Sequence, residues 1–493
     1  MPEPAASDRA AGGQAAGSRA AGGRAAGSRD ARDRLARYPV GASVTAAELA
    51  RDAHPVLRRL REAEPVSWLP ALGGWLVTRA DLADRVLREP GTFTVDDPRF
   101  TTARVVGPSM LSLDGTEHRR HRDPFARAMR APQLRTRLDQ AAARQARLLV
   151  AELASGGQEA ELRRGLAGHL AVAVMADMLG LNVAPARLLA WYDAIVAGVS
   201  ALSVAGAQAA GPAAGDQVAE APTAGAPAAG APIVGPSAAG APIVGPPAVG
   251  GPVADEPAPG GPYSGQSPPG GRAGHDSATR TVAAAEAAFA ELSACVSETL
   301  ARPAEPSVLT AVAGDLPAGE VVSNAAVLLF GGIETTEGMI CNAVWYLLRS
   351  QESLREVLAD RALIGSVVEE SLRLEPAAAV VDRYATSDVT VGDAAISRGD
   401  LVTVSLAAAS RDPAVFADPD RFDLHRPNAR QHWAFAVGPH FCVGAQLARA
   451  EAVAAVSELL GQLPGLRLDP VRPSFPQGLV FRKPASLHVR WDG

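Results

Sequence analysis

The chain has 493 residues, 47% of them apolar and 20% charged, with a formal net charge of -6 and a pI near 5.9. This is ample material for a large buried core, and the mild acidity points away from a polyanion, so no nucleic-acid partner is expected. Three cysteines, Cys295, Cys341 and Cys442, are too few and too scattered for a disulfide framework, and no CxxC pair suggests zinc or a redox dithiol.

The N-terminal arginines are followed by no apolar signal region, and the apolar run from Ala325 to Ile333 stops at Glu334. A spanning helix needs about 20 such residues. A soluble, cytoplasmic protein without membrane attachment is the expectation. Residues 1–33 are Ala/Gly/Arg-rich near-repeats with nothing large to bury, and a disordered tail is expected there. From residue 34 a single domain is expected to run to residue 493. Val66 to Arg79, VSWLPALGGWLVTR, alternates around a Gly-Gly and predicts a β-hairpin.

Helical periodicity follows over Glu117 to Met129, Pro132 to Ala154, Glu161 to Leu179 and Pro185 to Leu202. Residues 204–277 are dominated by Ala, Gly and Pro, with GAPIVGP twice, and read as a disordered insert. A tandem-repeat solenoid is the competing reading, but the unit has few bulky residues from which to build a core. Helical patterns resume over Thr279 to Ala301 and Ala318 to Arg349, the latter with Pro317 at its start, and another ends near Leu374. Short strands are expected between Ala385 and Val404. A helix should begin near Gly444 and end before Leu463-Pro464, and Leu479 to Trp491 reads as a last pair of strands. The fold class is mainly α with small peripheral β-sheets, α+β rather than alternating βαβ.

Four segments carry chemistry. Cys442 lies between Gly438-Pro439 and Gly444, just before the helical AQLARAEAVAAVSELL. A helix N-terminus offers unsatisfied N–H groups and the positive dipole end, which lowers a thiol pKa and suits a thiolate. Without a nearby second cysteine or ligand cluster, tetrahedral zinc is disfavoured. A single thiolate with open space before it is what a haem iron can use; a buried structural cysteine is the plainer alternative.

FGGIETTEG, Phe330 to Gly338, sets two glycines inside the longest helical pattern, at roughly 1 kcal/mol each against alanine. Their missing side chains open a groove for a ligand, and Thr335 can bond back to the Gly331 carbonyl and bend the helix. Glu334 beside it supplies a titratable group next to a hydroxyl, fit for proton relay. A glycine pair kept for packing, with a solvent-facing charge, explains the same residues.

EESLRLEP puts Glu370 and Arg373 on one helix face, which alone reads as a surface ion pair of about 0–1 kcal/mol. DGTEHRRHRDPF puts His118 and Arg122 four apart on one face. His118 and His121 also share a face, but without a third ligand they make a weak metal site, and a solvated basic face is the default.

Taken together these segments resemble the cytochrome P-450 family, in its soluble bacterial form. The spacing F-x-x-G-x-H-x-C-x-G, met by Phe435, Gly438, His440, Cys442 and Gly444, resembles the family's haem-binding loop, and LARAE after it is similar to the bacterial members. Ala436 stands where many relatives carry glycine. The resemblance implies that Cys442 is the axial ligand of the iron of haem b, iron protoporphyrin IX. FGGIETTEG resembles the oxygen-activating segment, in which Glu334 and Thr335 would deliver protons; Ile333 stands where many bacterial relatives carry histidine. Glu370 and Arg373 resemble a buried E-x-x-R pair that holds the core around the cysteine loop. Its third member would come from DPDRFDLHRP, with Arg426 favoured over Arg421. His118 and Arg122 resemble the grip on one haem propionate, with Arg383 and His440 as the partners of the other.

These four run in the family's order, and the likeness spans roughly Tyr38 to Trp491 apart from the insert. It implies the P-450 fold and a monooxygenase of secondary metabolism. One oxygen atom of dioxygen would enter a small apolar or amphipathic substrate, by hydroxylation or epoxidation. With no GxGxxG nucleotide fingerprint present, electrons would come from a ferredoxin and its reductase. A haem-thiolate peroxygenase or isomerase working without a redox partner, and a non-catalytic haem sensor, are the rival readings. The insert would join the two helices that roof the substrate channel, either as a flexible appendage at its mouth or as a neutral repeat expansion. Thr94 to Met110, Leu329, Ala377 to Val381 and Pro476 to Leu479 are expected to line the pocket. Being mainly small and apolar, they suit a bulky hydrophobic guest.

Overall fold

A computed structural model describes residues 33–209, 272–302 and 306–493. The tail expected over 1–33 lies outside the described residues but for its last position. Of the insert expected over 204–277, only the ends are described, where the flanking helices run on to Ala209 and begin at Arg272.

Eight helices carry the architecture. In chain order they are α1 (Gly115–Arg130), α2 (Pro132–Ser155), α3 (Gly168–Leu179) and α4 (Pro185–Ala209). They continue as α5 (Arg272–Ala301), α6 (Ala318–Arg349), α7 (Ile364–Leu374) and α8 (Ala445–Gln462). Pro132 opens α2, where a missing N–H costs nothing, and it turns the residue before it out of helix, ending α1. The longest, α6, is about 48 Å from end to end. It is buried on all sides along Val321 to Leu329 and again from Thr336 to Val344, as expected of a helix apolar all round. Helices α3, α5, α7 and α8 pack around it. No described helix is long and apolar enough to cross a membrane.

The strands are short. They are β1 (Val66–Leu69), β2 (Gly74–Val77), β3 (Phe93–Thr94), β4 (Glu159–Glu161), β5 (Val380–Ala385) and β6 (Val389–Val391). Then come β7 (Ala394–Ile396), β8 (Leu401–Ser405), β9 (Arg467–Leu468), β10 (Pro476–Gln477), β11 (Lys483–Pro484) and β12 (His488–Arg490). The largest sheet has the order β1-β2-β8-β5-β3, with β2 and β8 parallel. Its β1–β2 hairpin pairs Val66 with Val77 and Leu69 with Gly74, within the expected segment.

Two expectations shift. The helix expected from Glu161 begins later: Glu161 ends β4, a π-helical turn covers Arg163–Ala167, and α3 starts at Gly168. The cause is the Glu161 carboxylate, which accepts from the backbone N–H of Arg163, Arg164 and Leu487 at 2.7–2.8 Å. It caps the turn while its own backbone pairs with His488. The C-terminal strands, expected as a pair, join different sheets: β11 pairs with β10, and β12 lies between β4 and β9.

Around α7 the E-x-x-R pair is no surface ion pair. Both side chains are 0% exposed, and Arg373 grips Glu370 through two bonds of 2.8 Å. Arg426 Nε donates to Glu370 Oε1 at 2.9 Å, and the remaining guanidinium donors of both arginines go to carbonyls, including that of Arg421. Arg421 gives only its backbone; its side chain is exposed. Removing one member of a buried ionic set strands the others. Arg426→Ala should therefore lower the free energy of unfolding by about 3–5 kcal/mol, and Arg421→Ala should stay within about 0.5 kcal/mol. The measurement is the urea midpoint at unchanged slope.

Candidate active site

The loop between Arg426 and α8 is built to present Cys442. The Cys442 N–H donates to Phe435 O at 2.9 Å, closing a tight loop over the intervening residues. Gly438 adopts φ +77, and a Cβ there would lie 2.6 Å from the Leu87 carbonyl oxygen, so only glycine fits. Ala436 also lies in the left-handed region, at φ +53, a position that glycine takes without steric cost. Gly444 caps α8, and Cys442 sits two residues before it.

Glu369, the neighbour of Glu370, ties this loop down from both ends. Its carboxylate bonds His432 Nε2 at 3.2 Å, upstream of the cysteine, and accepts from Arg449 Nε at 2.6 Å, downstream on α8. The Arg449 guanidinium in turn lies 4.5 Å over the Phe435 ring.

On the other side, α1 meets the loop. His118 is buried with its ring 4.2 Å from that of His440, and Arg122 donates to the Phe441 carbonyl. His440 Nε2 bonds Asp114 Oδ1 at 2.8 Å, while Asp114 Oδ2 accepts from Thr94 Oγ1 and Val95 N. Arg383, buried on β5, feels the field of Asp114 and is held down to about 10 by burial. His118, Arg383 and His440 are thus gathered around one carboxylate, Asp114, and the charge of Arg122 acts on both imidazoles. Burial lowers the His118 pKa to about 4, helped by the charges of His440 and Arg122, and among the described residues its Nε2 has no hydrogen-bond partner.

The thiol departs from expectation. Cys442 is exposed, yet its pKa is raised, because burial outweighs the Gly444 backbone bond, Arg122 and Arg449. Both hold when a thiol faces a cleft deep inside a large domain. Protein behind it strips water away, and that desolvation exceeds the helix-end effect that would have lowered the pKa.

On α6, the Gly-Gly step divides its work. Gly331 is exposed, and a Cβ there would meet nothing within 4 Å; a Cβ on Gly332 would strike Met175 Sδ of α3 at 2.4 Å. One glycine opens the groove and the other allows helix packing. Thr335 Oγ1 donates to the Gly331 carbonyl. Glu334 turns elsewhere: Oε2 accepts from Tyr192 of α4, and Oε1 lies 2.6 Å from Lys483 Nζ. The acid and the alcohol are neighbours in sequence, but each has its own partners. Burial, and then Glu334, raise the Tyr192 pKa, so the phenol keeps the proton it donates.

Of the segments expected to line a pocket, Leu329 joins Trp191, Tyr192, Ile195, Leu292 and Phe330 around a small apolar cavity of about 10 Å³ between α4, α5 and α6. The others do not line that cavity. Met110 N donates to Asn324 of α6, a Cβ on Gly338 of α6 would lie 3.0 Å from Ala377 Cβ, and Pro476–Gln477 pairs with Lys483–Pro484.

The family model for cytochrome P450, here P-450, matches residues 308–484. Across nearly the whole chain, the protein is 32% identical over 456 residues to the mycinamicin IV hydroxylase/epoxidase of Micromonospora griseorubida, covering 88% of this chain and 94% of that one. The chain belongs to the cytochrome P-450 family. Its fold agrees with that of the P-450 CYP109Q5 from Chondromyces apiculatus, with a TM-score of 0.67 at 26% identity over 90% of this chain and 96% of that one. A higher identity, 43% over 148 residues, links it to a putative cytochrome P-450 140 of Mycobacterium tuberculosis, where the match spans about a third of the relative, 34%.

The P-450 cofactor is haem b, and the residues present fit it. An open thiol stands at the head of α8. Two arginines and two histidines, all buried or half-buried, converge beside it with one carboxylate among them and an orphaned imidazole nitrogen, a donor set suited to two propionates. A bound iron would also supply the positive charge that deprotonates a coordinating thiol outright.

Sequence reasoning missed Glu369, Asp114, Tyr192, Lys483 and Glu337. Glu369 was within reach, since a second acid beside an E-x-x-R glutamate is visible in EESLR; the others gain meaning only from distant partners. Glu369 yields a pH prediction. Burial opposes its charge, but His432 and Arg449 hold its pKa down at about 2. A folded pKa below the unfolded one gives stability that is present above the unfolded value of about 4.3 and is lost as pH falls toward 2. In urea unfolding, Glu369→Gln should cost up to about 3 kcal/mol near neutrality, and the gap to the natural chain should close between about pH 4.5 and pH 2.

Proposed function

We propose that the protein is a haem-dependent monooxygenase that inserts one oxygen atom of dioxygen into a bulky apolar or amphipathic small molecule, by hydroxylation or epoxidation. The observation that carries the reading is the exposed Cys442 thiol at the head of α8, with His118, Arg122, Arg383 and His440 converging beside it. When bound, haem b supplies reductive activation of dioxygen and transfer of one oxygen atom.

The chain's own residues do the rest. Cys442 would ligate the iron, and His118, Arg122, Arg383 and His440 would hold the propionates. Glu370, Arg373 and Arg426 keep the loop in place. Thr335, its proton engaged with Gly331 O, keeps an oxygen lone pair open to the groove, and Glu334 is the titratable group one residue away. Leu329 and Phe330 on α6, with Trp191 and Ile195 of α4 and Leu292 of α5, present apolar side chains that suit an apolar guest. The mycinamicin relative is named for hydroxylation and epoxidation, which supports the same reactions here, in secondary metabolism. Exposed Arg119, Arg127 and Arg130 on α1, the helix whose Arg122 bonds the cysteine loop, suit an acidic ferredoxin fed by its reductase. Three free cysteines suit a reducing cytoplasm.

The test is spectroscopic. Haem-loaded protein reduced with dithionite under carbon monoxide should show the thiolate-type Soret shift, and Cys442→Ala should lose it. Absence of that shift in the natural chain would overturn the reading, as would full turnover on peroxide with no gain from ferredoxin.

A further inference from the structure

Of the 47 lysine and arginine residues in the chain, Lys483 is the only lysine. It lies on β11, buried, with Nζ 2.6 Å from Glu334 Oε1 and 2.6 Å from Glu337 Oε1. Those carboxylates are three residues apart on α6, where like charges on one helix face repel. A cation between them turns the repulsion into a bridge. Glu337 accepts a further bond from Arg163 Nε at 2.6 Å and faces Arg164 Nη1 at 3.5 Å. The side chains of Arg163 and Arg164 are 21% and 45% exposed against 2% for Glu337, so this array runs inward from solvent to Glu334.

The choice of residue is informative. A guanidinium is a broad planar fork suited to one carboxylate at a time, whereas an ammonium is a compact charge whose donors can serve two. A chain that otherwise uses arginine for its basic side chains has lysine at the place where two carboxylates from adjacent helical turns need one small cation.

We propose that Lys483 is the positioning residue for Glu334, an ammonium bridge to Glu337 that fixes the Glu334 carboxylate where protons reach it from solvent. This rests on the monooxygenase reading. The Glu334 carboxylate takes up a proton from water on the solvent side and passes it toward the groove, returning to the carboxylate that Lys483 stabilises; Lys483 remains an ammonium throughout. The charged or titratable groups around the bridge are Tyr192 and Asp193 of α4, Arg163 and Arg164 of the π-helical turn, Glu161 of β4, and Cys341 of α6.

A chain with one lysine permits a direct test. Lysine isotopically labelled at Cε gives a single side-chain resonance, and Glu337→Gln and Glu334→Gln should each move it. In turnover, Lys483→Met should lower kcat and the product formed per dioxygen consumed by about 10–100-fold. KM and the thiolate signature should stay close to the natural chain, the thermal midpoint should fall because Glu334 and Glu337 lose their shared cation, and Lys483→Arg should recover part of the lost turnover. A lysine resonance indifferent to both carboxylate substitutions overturns the bridge, and undiminished coupling in Lys483→Met overturns its role. Loss of the thiolate signature in the natural chain would instead refute the monooxygenase reading, and the resonance would still decide the bridge.

Discussion

Two adjacent carboxylates on α7 hold the cysteine loop from opposite directions. Glu370 faces inward to Arg373 and Arg426 and fixes the chain leading into the loop. Glu369 faces His432 before the cysteine and Arg449 after it. Buried ion pairs of this kind are no bargain against well-packed hydrocarbon, because each charge must first leave water. Their contribution is directional. A bidentate guanidinium and a string of carbonyl acceptors admit one arrangement of the loop, whereas apolar side chains would admit several. Cys442, Gly438 and the N-terminus of α8 inherit their places from that arrangement.

The same economy appears on α6. A helix buried nearly all round must also present a face to the site, and the chain achieves this with adjacent residues of opposite use. Gly332 lets Met175 close against the backbone, while Gly331 leaves the next position open. Thr335 then returns its hydroxyl to the Gly331 carbonyl, satisfying a polar group that the exposed step would otherwise leave to water. Core packing and groove thus come from a single turn, with no break in the helix.

Much of this was legible in the sequence. Helical periodicity, Pro132, the Gly-Gly hairpin and the cysteine-loop spacing are local signals, and they mark α2, β1–β2 and the residues of the site. What could not be read was burial and long-range partnership. Glu370 and Arg373 look like a surface pair until the carbonyls of 410–421 wrap around them. Glu161 looks helical until β12 arrives to pair with it. Lys483 lies in a C-terminal stretch that reads only as strand, and its meaning comes from α6, 146 positions earlier than its own at Glu337. The thiol of Cys442 illustrates a contest of magnitudes: the helix end favours the thiolate, as the sequence suggests, but desolvation by the surrounding domain is larger.

That contest bears on how the site is completed. Holding Arg122 and Arg383 beside His118 and His440 disfavours their charged forms, and burial depresses the pKa of all four. A ligand bearing two carboxylates at one edge and a cationic metal at its centre reverses both penalties at once. It offsets the charges of Arg122 and Arg383, offers acceptors to the two imidazoles, and gives the thiolate the charge partner that the helix end alone does not provide. Binding such a cofactor to the folded chain, and not to the unfolded one, adds stability by mass action. The parts of the site that are costly in the protein by themselves are therefore the parts that make haem b and the fold mutually reinforcing.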